Sequence, residues 1–319
     1  MRKVLSFVAK AAVSGLLLYL ALDFVNFGTV ATRLSRIAPG WIALVLLLLV
    51  VQLFLVTVRW QQLVAQCGAL LPFGLLLRFN FIGLFFNQTL PSSVGGDAMR
   101  IWLTAKATNW RTGTYSVFLD RVVGVVALAG LVVVCLPWTL QLVHDPVGRT
   151  ALMIIGLGSL GAGVVFVSLS WEGFGILQRW MPTRHLADVA KIALHVLRAP
   201  GTLAPIIAIS VVIHLMTAVT AWAAARSVGA DLSLPNALFL VLPVMLVAIV
   251  PISIAGWGVR EGAMVAAFVY AGLPQADGLI VSLLFGITTL VVGAIGGVIW
   301  VLGTERAKQP VAPDAVGGE

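Results

Sequence analysis

Apolar positions along this chain gather into long unbroken runs, without the polar positions that would let one face meet water. The runs cover roughly 4–22, 41–59, 122–143, 150–170, 203–225 and 279–302. A bilayer core takes about 20 apolar residues per helical crossing. The pattern therefore predicts six full transmembrane helices. Three further runs fit this scheme poorly: 73–90 stops at Pro91, 235–250 stops at Pro251, and 262–273 is too short to cross.

Composition agrees, with 60% hydrophobic and only 10% charged residues. Such a chain cannot cover a water-facing surface, so the fold class is an all-α polytopic membrane protein. The net charge of +8 points to loops facing anionic lipid, and no nucleic-acid partner is expected. MRKVLSFVAK opens like a signal peptide, but its apolar run continues without an A-x-A-type site, so it reads as a signal anchor. Cys67 and Cys135 form no disulfide framework, and no His/Cys cluster suggests a metal or other cofactor. Residues 1–303 read as one membrane domain, and 304–319 as a disordered cytoplasmic tail.

The basic residues orient the short runs. If 73–110 and 235–273 each enter and leave on one side, Arg33, Arg36, Arg149, Arg226 and Arg260 lie outside and the rest of the 20 basic residues inside. If 73–90 crosses fully, that bias collapses. The re-entrant reading follows, with both termini cytoplasmic and the chain expected in a bacterial inner membrane. Each hairpin carries its Pro/Gly/Ser link deep into the bilayer, where irregular backbone needs protein or a wet cavity around it.

The two links resemble each other. PSSVGGDAMR (Pro91–Arg100) and PISIAGWGVR (Pro251–Arg260) share P-x-S-x-x-G-x-x-x-R at an offset of 160, and the flanking spans superpose at that offset. The chain reads as span, span, hairpin, span written twice, about 4–143 and 150–302. Three crossings per copy invert the second copy, so the two hairpin tips are expected to meet near the midplane.

In each link Pro stops one helix and Gly permits the turn. Gly96 and Asp97 read as an N-cap pair for a helix starting near Ala98 and returning as far as Arg111. Gly256, Trp257 and Gly258 stand in the same place in the second copy. Arg100 and Arg260 then lie in first helical turns, where a cation opposes the dipole unless an anion sits between them. Paired arginines and helix N-termini suit a phosphate. The alternative stands beside it: Arg100 with Asp97, and Arg260 with Glu261, as structural ion pairs.

Other polar residues fall at membrane depth. Asn87 and Gln88 are expected at the cavity, and Gln52 as a link between helices. His214 is either a proton relay or a hydrogen-bonded bundle residue. Asp120 and Arg121 read as the start of a span, either an interfacial pair or a gate at the cavity mouth. Trp41, Trp60, Trp138, Trp171, Trp222 and Trp300 fall at span ends as an interfacial belt. The loop 171–202 has apolar residues at helical spacing between basic ones and is expected to lie on the inner leaflet.

FNQTLPSSVGGDAMR and PISIAGWGVREG resemble the two signature stretches of the flippase-like family related to the transmembrane region of lysylphosphatidylglycerol synthases. The resemblance covers about residues 5–303. It maps Gly95, Gly96, Asp97 and Arg100 onto one signature, and Pro251, Ser253, Gly256, Gly258, Arg260 and Glu261 onto the other. Ala255 stands where Gly is expected. The resemblance implies proteins that move or present aminoacylated phosphatidylglycerol, hopanoids or polyprenyl-phosphate lipids. The soluble aminoacyl-transfer domain is not in this sequence, which argues against synthesis of lysyl-lipid by this chain alone.

The reading is a lipid translocase, not an enzyme. An anionic headgroup is held by Asn87, Ser93, Gly95, Gly96, Asp97, Arg100, Ser253, Gly256, Gly258, Arg260 and Glu261, while the tail stays in the bilayer. Asp97, Glu261 and His214 are candidates for proton coupling. Rival readings are an integral-membrane lipid-modifying enzyme, a scaffold for a lipid- or glycan-modifying partner, and a small-solute carrier.

Overall fold

The computed structural model describes residues 37–90, 94–170, 181–249 and 257–306, with only the backbone of 181–183 and 304–306. The expected first span 4–22, Ser93, Ser253, Gly256, residues 171–180 and the tail from 307 lie outside the described residues. The described residues form helices without strands. In chain order these are α1 (Pro39–Gln66), α2 (Phe73–Thr89), α3 (Gly95–Ala107), α4 (Trp110–Leu142) and α5 (Pro146–Ser168). Then follow α6 (Met181–Arg198), α7 (Pro200–Ser227), α8 (Leu234–Ala248), α9 (Val259–Tyr270) and α10 (Gln275–Arg306). Five of them, α1, α4, α5, α7 and α10, are long and apolar enough to cross a membrane. The chain is a multi-pass, all-α membrane protein.

Local sequence sets the boundaries. Pro39, Pro146 and Pro200 open α1, α5 and α7, where a missing N–H costs nothing. Asp145 caps α5 by accepting from the Gly148 N–H at 2.6 Å, and Ser233 caps α8 by accepting from the Asn236 N–H at 3.2 Å. The Asn109 side chain accepts from the Thr112 N–H at 2.9 Å and starts α4 at Trp110. That cap corrects two expectations. The returning helix ends at Ala107, not Arg111. The next span begins well before Asp120, which places Asp120 about 15 Å along α4.

The order of element lengths repeats: 28, 17, 13 and 33 residues for α1–α4, then 28, 15, 12 and 32 for α7–α10. The packing repeats with it. The contacts α1–α2, α2–α3, α3–α4 and α1–α4 have counterparts in α7–α8, α8–α9, α9–α10 and α7–α10. Across the halves, α2–α10 answers α8–α4, α1–α10 answers α7–α4, and α1 packs along α7. Exchanging the two sets maps the arrangement onto itself.

Small residues allow the close seams. Ala218, Ala221, Ala224 and Ala225 of α7 are buried in the main apolar core beside Val45 of α1. Gly296 of α10 meets the Phe81 carbonyl of α2, where a Cβ would overlap it. α6 lies over α4, α5 and α7, with Ala187, Val189, Ala190, Ala193 and Val196 buried and Arg184, Lys191, His195 and Arg198 exposed. It matches the amphipathic helix expected in 171–202. Its Asp188 accepts from Tyr115 Oη at 3.1 Å and from Arg111 Nη2 at 3.2 Å.

Candidate functional site

The first turn of α3 departs from expectation. The helix begins at Gly95 with Val94 as N-cap, whose side chain makes no capping hydrogen bond. Asp97 lies inside that turn, and its carboxylate points sideways to cations. Oδ2 accepts from Arg121 Nε at 2.6 Å, and Oδ1 faces Arg100 Nη1 at 3.4 Å. Gly96 sits against the Gly83 carbonyl of α2, at a distance no Cβ could share. A Cβ on Gly83 would in turn lie 2.8 Å from Arg100 Cγ. The two glycines let α3 approach α2 and leave room for the arginine stem.

Arg100 reaches on to α4, donating from Nη2 to Asp120 Oδ2 at 2.9 Å. Its guanidinium also lies 4.0 Å above the Trp60 ring. Trp60 is fully buried. The other Asp120 oxygen, Oδ1, accepts from Arg59 Nε at 2.9 Å. Arg59 Nη1 donates to Ser210 Oγ of α7 at 3.2 Å. Asp120 is 2% exposed, lies at the centre of this network and sits well inside α4, not at its start. Arg121 is half-exposed at its edge.

The charged groups line a cavity of about 310 Å³ between α1, α2, α3, α4 and α7, with Ile249 after α8 at its wall. Of the predicted residues, Asn87, Gly96, Asp97, Arg100 and His214 line it together. Arg59, Asn80, Gly83, Asp120 and Arg121 line it too. Gly95 is buried beside it against Leu90, while Gln88 is not among the lining residues. Asn80 donates to Thr57 Oγ1 at 2.8 Å. His214 Nε2 is 2.9 Å from the Gly124 carbonyl, so Nε2 carries the hydrogen and Nδ1 is left as an acceptor. Gln52 donates to Thr220 Oγ1 at 3.1 Å and links α1 to α7, as expected.

The second signature is built differently. Gly258, at φ +89°, is the N-cap of α9, and its N–H donates to Glu261 Oε2 at 2.6 Å. Arg260 donates to Glu261 Oε1 from Nη2 at 2.7 Å and to Ser282 Oγ from Nε at 3.0 Å. Ser282 Oγ donates to the same Glu261 oxygen at 2.9 Å. Glu261 is fully buried, and Trp257 packs with its ring 5.1 Å from the Arg260 guanidinium. Arg260, Glu261 and Gly258 are absent from the described lining of the 310 Å³ cavity. Arg260 with Glu261 takes the form of a closed, neutral ion pair.

Arg59, Arg100 and Arg121 oppose Asp97 and Asp120, which leaves one positive charge in excess. Arg100 Nε and Asn87 Oδ1 are buried without a hydrogen-bond partner among the described residues. The N-terminus of α3 adds positive potential at Gly96. The cavity thus carries a net positive charge with acceptor groups already inside it. Arg59 gave no signal in the sequence, being one basic residue near the end of an apolar run. Its buried partner on another helix was the missing clue.

A family profile described as "Lysylphosphatidylglycerol synthase TM region" matches residues 7–297. A "UPF0104 membrane protein" from Methanothermobacter thermautotrophicus is 31% identical over 121 residues, 37% of this chain and 33% of that protein. The matched stretch is thus about a third of that relative's length.

Proposed function

This chain belongs to the family of the lysylphosphatidylglycerol synthase transmembrane region, and on that footing we propose that it translocates a phosphate-bearing lipid. The observation that carries the reading is the excess positive charge of the Arg59–Arg100–Arg121 cluster in a cavity between membrane-crossing helices. Buried charge of this kind is costly in a membrane and marks pathways. Arg121 supplies the accessible guanidinium, Arg100 Nε and the α3 N-terminus supply further donors, and Asn87 faces the same space. A phosphate oxygen can replace Asp97 on Arg121 without stripping Asp120 of its partners.

The repeated order and exchanged packing of α1–α4 and α7–α10 support an inverted arrangement. α2 and α3 rise only about 26 and 20 Å, short of the roughly 30 Å hydrocarbon core, which supports the re-entrant reading. In such a plan two states expose one midplane site to either face. The closed Arg260–Glu261 pair narrows the headgroup site to the first signature and gives the second a role in fixing α9 onto α10. Residence in an inner membrane with cytoplasmic termini belongs to this reading.

One observation favours a second reading. Every arginine of the cluster already faces a carboxylate, as in a scaffold held together by ion pairs. Native mass spectrometry of the purified protein with its co-purified lipid separates the two. The translocase reading expects a specific phosphate-bearing lipid that Arg121→Ala and Asn87→Leu lose. The same bulk lipids in the same ratios in all three proteins would favour the scaffold, with a lipid- or glycan-modifying enzyme as its partner.

A further inference from the structure

A second cavity, of about 580 Å³, lies on the other side of the α4–α7 seam. Its chemistry is the opposite of the first. α4 contributes Val122, Val123 and Val126, and α7 contributes Leu203, Ile206 and Ile207. Ser168 is the one polar side chain among its lining residues, and its hydroxyl is spent on the Val165 carbonyl at 2.7 Å. Water would find no partners here, and hydrocarbon would lose none.

The two cavities share two walls. On α4, Asp120, Arg121, Gly124 and Val125 face the polar cavity, and the neighbouring positions face the apolar one. On α7, Ile213 and His214 face the polar cavity, about two turns beyond Ile206 and Ile207. Between them lies Ser210, which accepts from Arg59 of α1, and Arg59 in turn pairs with Asp120 of α4. His214 is hydrogen-bonded directly to the Gly124 carbonyl of α4. One direct link and one bridge through Arg59 close the seam. The apolar cavity opens sideways, because Val164, Leu197 and Ile207 on its lining are exposed.

We propose that the 580 Å³ cavity is the seat of one hydrocarbon chain of the lipid whose phosphate occupies the polar cavity, the chain passing through the α4–α7 seam. This rests on the headgroup reading above and refines it, since the tail travels inside the protein and not in the surrounding bilayer. The seam is then a lateral gate whose opening breaks His214–Gly124 and one arm of the Asp120–Arg59–Ser210 bridge. One amphiphile is matched by two adjacent chambers of opposite polarity. A polar solute would have no use for the second.

The test uses the full chain in nanodiscs of phosphatidylethanolamine and phosphatidylglycerol, with a phosphatidylglycerol carrying a diazirine in one acyl chain. Irradiation is expected to label the chamber faces of α4, α6 and α7, in competition with unlabelled phosphatidylglycerol. Ala193→Phe, which fills the chamber, is expected to lower that labelling roughly tenfold, the scale of an overpacked site. Ile207→Trp at the rim serves where Ala193→Phe fails to fold. Asn87→Leu, in the other cavity, is expected to lower chamber labelling as well. Labelling spread over outward residues such as Leu47, Val134 and Ile295, indifferent to Ala193→Phe, would overturn the proposal. So would chamber labelling that ignores Asn87→Leu, since the chain would then belong to a different lipid. If Arg121→Ala still strips a specific lipid while the chamber stays unlabelled, only this inference falls. If no lipid responds to Arg121→Ala, the headgroup reading falls with it.

Discussion

Arg100 and Asp120 meet at 2.9 Å across α3 and α4, each less than a tenth exposed, and that contact joins the first signature to the longest of the described helices. Asp120 also holds Arg59, so it is the shared counter-charge of two buried cations. Asp120→Asn leaves both guanidiniums undercompensated. The expected loss is about 3–5 kcal/mol, the cost of breaking a buried pair from one side. Thermal unfolding in detergent should show a drop on the order of 10 °C. Arg121→Ala removes a half-exposed partner and should cost only about 1 kcal/mol. Equal losses for both would show that Asp120 is not the centre of the network.

Gly96 should tolerate no side chain. Its Cβ would fall on the Gly83 carbonyl, a backbone atom that can move only with α2. Gly96→Ala is expected to cost about 1–3 kcal/mol through overpacking and to lower lipid retention, because α3 carries Asp97 and Arg100. Gly161→Ala in α5 meets nothing within 4 Å and should be neutral or stabilising by up to about 1 kcal/mol. Melting temperatures of the two variants side by side check both statements.

Much of this was legible in the runs themselves. Five of the six predicted spans are helices long enough to cross, and the short runs before Pro91 and Pro251 are the short helices α2 and α8. The repeated P-x-S-x-x-G-x-x-x-R pattern pointed to α3 and α9, which stand in matching places in the packing. The near pairs Arg100–Asp97 and Arg260–Glu261 were legible as the structural alternative, but the pairing between distant helices was not. Arg59, Asp97, Arg100 and Asp120 come from three helices, and only their packing decides which carboxylate serves which guanidinium. The cap at Asn109 was missed as well, and with it the depth of Asp120. Sequence similarity between the signatures also suggested equal roles for Arg100 and Arg260. The residue that follows Arg260 is Glu261, which neutralises it locally, whereas Arg100 finds its closest partner on another helix.

That difference is measurable. Glu261 accepts from Arg260, Ser282 and the Gly258 N–H, so it ties the start of α9 to α10. Glu261→Gln should cost about 3–5 kcal/mol of stability. The identity of the co-purified lipid should stay as in the wild type, because the pair lies outside the polar cavity's described lining. Loss of the lipid from well-folded Glu261→Gln, judged by size-exclusion profile, would place Glu261 in the headgroup site after all.

His214 separates a structural from a proton-carrying role. Its Nε2–H is committed to the Gly124 carbonyl, while Nδ1 is free to take a proton from the cavity that His214 lines. A glutamine there can restore the donated hydrogen bond but cannot carry the proton. His214→Leu removes both and should cost about 1 kcal/mol, the net worth of one hydrogen bond. His214→Gln is expected to melt close to the wild type. Lipid translocation in proteoliposomes, followed with and without an imposed pH gradient, then isolates the proton. If the gradient accelerates the wild type, the glutamine variant should translocate at the rate of the ungraded wild type in both conditions. A glutamine variant that still responds fully to the gradient would leave His214 with only its hydrogen bond to α4. Both Asp97 oxygens face arginines, so coupling would then require Asp97 to release Arg121 before it could take up a proton.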